Sequence, residues 1–157
     1  MKSNWRFSFD FKPSQTLTGS LYKSFLHITD NGPGVQQRVL GLWMIPNTQD
    51  IGMHFEFDST DPNVTRWFAT HSDALTLNEW NTVEISQMVH DGNSILLFKV
   101  NGLIYHNVTN VNPRTYPALD FYNARGEWQP ADGHMRYFQF YSADLATDIP
   151  LTLRTYK

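Results

Sequence analysis

At 157 residues the chain is long enough for one domain, residues 1–157, built round a single sizeable core. Its formal charge of −3 argues against a nucleic-acid partner or an anionic membrane surface, and no run reaches the ~20 apolar residues of a membrane-inserted helix. With no cysteine there is neither a disulfide framework nor a thiolate metal site, and aromatics at 15% against charges at 17% favour strands over helices.

Trp5, Phe7, Phe9 and Phe11 alternate with Arg6, Ser8 and Asp10, the period of a strand with four aromatics on its inner face before Pro13. Phe25–Thr29 predicts a second strand, closed by Asp30-Asn31-Gly32-Pro33-Gly34. Arg38–Ile45 is apolar at both parities, as in a central strand covered on both faces. After a turn at Pro46–Gly52, Met53, Phe55 and Phe57 alternate with His54, Glu56 and Asp58, and Arg66–Thr70 makes a short strand.

The middle of the chain is the most explicit. Thr82–Val89 and Ser94–Val100 flank His90-Asp91-Gly92-Asn93, where Asp-Gly supplies the positive φ of a tight hairpin turn. Asn101-Gly102 then starts a return strand at Leu103–Val108. Ala118–Asn123, Met135–Tyr141 and Leu151–Thr155 complete the count, with 142–157 as a closing strand or a lead-out. Short strands at this spacing predict an all-β, antiparallel two-sheet β-sandwich.

Four stretches carry a family likeness: Trp5–Pro13; Leu77-Asn78-Glu79-Trp80-Asn81-Thr82-Val83; Phe98-Lys99-Val100-Asn101-Gly102; and Trp128-Gln129-Pro130-Ala131-Asp132-Gly133-His134-Met135-Arg136-Tyr137-Phe138. In that order they resemble the laminin G-like branch of the concanavalin A-like jelly rolls. The resemblance implies two curved sheets with a ligand surface on the concave face or the rim loops. It spans lectins, adhesion modules and glycan-cleaving enzymes, so the activity must come from the site. The C-terminal disulfide of many laminin G domains is missing here.

Three functional classes follow. The leading expectation is a non-catalytic module that binds a glycan or a glycoprotein through the concave face or rim loops. Its candidate ligand-binding residues are His54, Glu56, Asp58, Trp67, His71, Asn123, Arg125 and Trp128. Exposed aromatics beside Asn and Asp suit sugar faces, and Trp67, Tyr105, Tyr116 and Trp128 stand near loops or strand ends, whereas Trp43 and Trp80 read as core. If the strands at Met53–Asp58 and Arg66–His71 pair, His54 and His71 come close. The second class is a structural domain of a matrix protein that self-associates into a homo-oligomer.

The third class is a polysaccharide hydrolase or lyase using Glu56 and Asp58, which alternation places about 7 Å apart on one face. Retaining glycosidases set two carboxyls about 5–5.5 Å apart. The jelly-roll laminarinases carry Glu-x-Asp-x-x-Glu on one strand, and here Asp61, directly before Pro62, stands where their second glutamate would be. A solvated polar face explains the same residues, so no catalysis is expected. The resemblance also implies calcium as a candidate cofactor. Asp30, Asn31, Asp58 and Asp61 are the acidic loop groupings with room to converge and Asp132 is a third position, although Asp30 and Asn31 also serve as turn formers. Two sequons, Asn63-Val64-Thr65 and Asn107-Val108-Thr109, point to an extracellular or cell-surface protein, while the lack of cysteine suits a cytoplasmic one equally.

Overall fold

The computed structural model describes residues 4–16, 18–29, 38–56, 65–110, 113, 119–122, 130–142 and 151–154. Every regular element among them is a strand: β1 (Trp5–Pro13), β2 (Lys23–Thr29), β3 (Arg38–Met44), β4 (Ile51–Glu56), β5 (Thr65–Ala69), β6 (Asn81–His90), β7 (Asn93–Val100), β8 (Leu103–Asn110), β9 (Leu119–Tyr122), β10 (Gly133–Ser142) and β11 (Leu151–Arg154). They form a five-stranded sheet, β10-β1-β6-β7-β8, facing a six-stranded sheet, β11-β9-β2-β3-β4-β5. This is the two-sheet sandwich that the alternation predicts, although β11 joins β9 in parallel at the sheet edge.

The aromatics of β1 hold the two layers together. Trp5, Phe7, Phe9 and Phe11 are each at most 5% exposed. The Phe11 ring stacks on Phe25 at 4.5 Å, Phe7 meets Phe121 at 5.5 Å, and Trp5 meets Phe55 at 5.9 Å. Each of these contacts crosses from one sheet to the other. Burying such side chains contributes about 1.5–3 kcal/mol apiece.

From Leu40 to Met44 on β3 and along β4 the six-stranded sheet follows the sequence parity. Leu40, Leu42 and Met44 of β3 and Ile51, Met53 and Phe55 of β4 face the core. The opposite parity therefore lines the sheet's other, outer face. The pairing there is direct: Tyr122 of β9 lies opposite His27, His27 opposite Gly41, Gly41 opposite His54, and His54 opposite Trp67. A single row of residues thus crosses five strands on the outer face.

Candidate functional site

Burial falls along that row. Tyr122 and His27 are buried, His54 is half-buried, and Trp67 on edge strand β5 is 40% exposed. The open part of the face is therefore the β4–β5 end. Rings crowd there: His54 lies 4.6 Å from Trp67 and 5.3 Å from Trp43, the two indoles are 6.1 Å apart, and His27 stands 6.2 Å from Trp43. Tyr22, just before β2, stands at 86° to Trp67 with ring centres 5.5 Å apart and is itself exposed. The result is an aromatic floor at Trp67 with an upright tyrosine and an imidazole against it. Its chemistry is that of a surface for stacking and hydrogen bonding.

Two glycines make room for this cluster. A Cβ on Gly41 would fall 2.1 Å from Trp43 Cη2, and a Cβ on Gly52 would fall 1.8 Å from Trp67 Cη2. Both indoles thus lie over strand positions that carry no side chain. A glycine inside a strand marks such a close approach, and this is the available signal for Trp43, which its apolar neighbours on both sides read as core. Trp43 is indeed 2% exposed, but it is buried on the outer face and not between the sheets.

The outer face of the five-stranded sheet is of another kind. Asp10 binds Arg136 at 3.1 Å and accepts from Thr82 Oγ1 at 2.9 Å, and Glu84 lies 3.4 Å from Arg6 and 3.1 Å from Lys99. The Arg136 guanidinium also covers the Trp80 ring at 3.9 Å. Charge there is matched by charge on the same face.

The expected site residues divide accordingly. His54 and Trp67 are brought together as direct partners on β4 and β5. Glu56 ends β4, opposite Thr65. His71 does not join His54: it lies two residues past the end of β5, and its ring packs instead on Tyr105 at 5.3 Å. Trp80 is not core either. It is 38% exposed, because its neighbour Asn81 turns inward and leaves the adjacent side chain facing out.

Asp30, Asn31, Asp58, Asp61, Asn123, Arg125 and Trp128 lie outside the described residues, as do Tyr116 and Asn63. Among the described residues no three His, Asp or Glu side chains group as metal ligands would. Asp132 has other partners: it accepts from Gln15 Nε2 at 2.6 Å and lies 3.4 Å from Lys23 Nζ. The Gln15 hydrogen bond and then the Lys23 charge hold its carboxyl below the usual aspartate value.

No family model and no curated protein matches this chain. Solved structures do. The CBM40 domain of the Ruminococcus gnavus IT-sialidase aligns with a TM-score of 0.59 at 16% identity, covering 88% of this chain and 76% of that one. The same domain bound to α2,3-sialyllactose aligns at 0.55 and 14% identity, with the same coverage. Sheep galectin-11, in complex with glycerol, aligns at 0.53 and 10% identity, covering 90% and 92%. At these identities the likeness establishes the fold alone: a jelly-roll β-sandwich.

Proposed function

We propose that this chain is a non-catalytic recognition module that binds carbohydrate on the outer face of its six-stranded sheet, at the β4–β5 end. The observation that carries the reading is Trp67, an exposed indole in ring contact with Tyr22 and His54 and set on a strand, not on a loop. An exposed aromatic floor fits the CH-rich face of a pyranose, and the neighbouring polar rings suit its hydroxyls. The cluster offers a surface and hydrogen bonds, where cleavage would call for a paired acid and nucleophile. Structural neighbours that include a sialyllactose-bound domain and a galectin support the same class of ligand. An extracellular setting belongs to the proposal: Asn107 of the second sequon stands exposed on β8, open to a glycan.

A glycan array tests this, with Trp67→Ala printed against the native chain. The native protein retains a defined set of glycans, and the variant loses about tenfold or more in affinity, roughly 1.4 kcal/mol. Silence of the native chain across the array defeats the reading. Equal binding by the variant removes this face from it.

A further inference from the structure

We infer that Gly52 is a positioning residue for Trp67, and Gly41 for Trp43, each holding an indole down on the outer face of the six-stranded sheet. The effect on ligand binding rests on the carbohydrate reading above; the seating rests on geometry alone. The Trp67 ring reaches across from β5 to β4, where Cη2, Cζ2 and Cζ3 fall 1.8, 2.2 and 2.8 Å from the position of a Gly52 Cβ. Gly52 pairs directly with Ala69, and Trp67 pairs with His54, so the indole crosses the ladder diagonally to reach its seat. Trp43 folds along its own strand, with Cη2 2.1 Å and Cζ3 2.6 Å from a Gly41 Cβ.

The two seats act on one cluster. Trp43, held at Gly41, backs His54 at 5.3 Å and Trp67 at 6.1 Å, and Trp67 in its seat meets Tyr22 at 5.5 Å. A methyl group at position 52 has to displace the outer ring of Trp67, since real Cβ atoms do not approach other heavy atoms at 1.8 Å. Alanine is otherwise the better strand residue, because glycine there gives up more backbone freedom on folding. A glycine kept at this point is therefore explained by the ring above it and not by the strand.

The test is a double-mutant cycle of Gly52→Ala and Trp67→Phe, since phenylalanine lacks the outer ring that fills the seat. Stability is read by urea unfolding, and the Trp43–Trp67 pair by its exciton band in circular dichroism, assigned through its loss in Trp43→Phe. Gly52→Ala is expected to lose at least half of that band and to weaken retention by about tenfold on the glycans that hold the native chain in the array. In the Trp67→Phe background, Gly52→Ala is expected to leave stability unchanged or raised. Should Gly52→Ala fail to fold while the double variant folds, that rescue makes the same point. An unchanged exciton band overturns the seat. So does an equal loss of stability in both backgrounds, or failure of both to fold. A native chain that retains no glycan while the band still responds to Gly52→Ala defeats the carbohydrate reading and leaves the seat standing.

Discussion

Asn81 is 1% exposed, and its amide is fully engaged. Oδ1 accepts from the Thr76 amide at 2.8 Å and from Asn101 Nδ2 at 3.0 Å, and Nδ2 donates to the carbonyls of Thr76 and Glu79 at 2.8 and 2.9 Å. One side chain thereby fastens the turn before β6 to the Asn101-Gly102 turn after β7. Replacing it by alanine leaves buried donors and acceptors unmatched, at about 1–3 kcal/mol each where water cannot reach them. Asn81→Ala is expected to cost about 3 kcal/mol, read as a fall in the urea midpoint at unchanged slope. The neighbouring Trp80→Ala, an exposed ring beneath Arg136, is expected to cost under about 1 kcal/mol. That ordering reverses the sequence expectation, in which the tryptophan is core and the asparagine unremarked. Residue type could not reveal it, because an asparagine of this kind is identified only by the carbonyls that surround it.

The two central turns were plain from sequence because their chemistry is local. Asp91 and Gly92 have φ of 50° and 78°, and Asn101 and Gly102 have 51° and 80°, the paired positive values of tight hairpins. A Cβ at Gly92 would meet nothing within 4 Å, so conformation and not space sets the cost of a side chain there. Gly92→Val is expected to destabilise by about 1–2 kcal/mol in chemical denaturation, with the fold intact. The bulge in β10 carries no such local mark. Tyr137 and Phe138 together face Phe9, and Tyr137 takes a φ of 54° with no glycine to announce it. The extra residue lets Phe138, itself 39% exposed, stack on Phe9 at 5.4 Å and reach Phe7 at 5.9 Å, so this backbone follows from contacts with rings of another strand and not from local sequence. The site is legible on the same terms. Alternation put His54 on the outward parity of β4. The meeting of Trp67 with Gly52, Trp43 and Tyr22 depends on register across four strands, which no single stretch of sequence states.

At the scale of the whole molecule, the two sheets are tied at one end by residues 130–133. The Ala131 amide donates to the Ser24 carbonyl at 2.8 Å on the six-stranded side. The Ser14 amide donates to the Asp132 carbonyl at 3.1 Å, and Gly133 pairs with Pro13, on the five-stranded side. The Asp132 side chain adds Gln15 from beyond β1 and Lys23 from the start of β2, so one carboxylate spans both layers. Because these partners hold its folded-state value below that of the unfolded chain, the folded protein binds fewer protons here than the unfolded one. The stabilisation is therefore complete above the ordinary aspartate range and disappears as pH falls through the lowered folded value. Half the side chain is in water, so screening keeps the effect small. Asp132→Asn is expected to unfold at lower urea than the native chain at pH 7, with the gap closing as the pH is taken below the ordinary aspartate range. Lys23→Met, which removes the charge and spares the Gln15 hydrogen bond, is expected to produce only part of that gap. A gap that persists unchanged in acid would show that the strap holds the sheets through its backbone bonds and that the Asp132 charge contributes nothing.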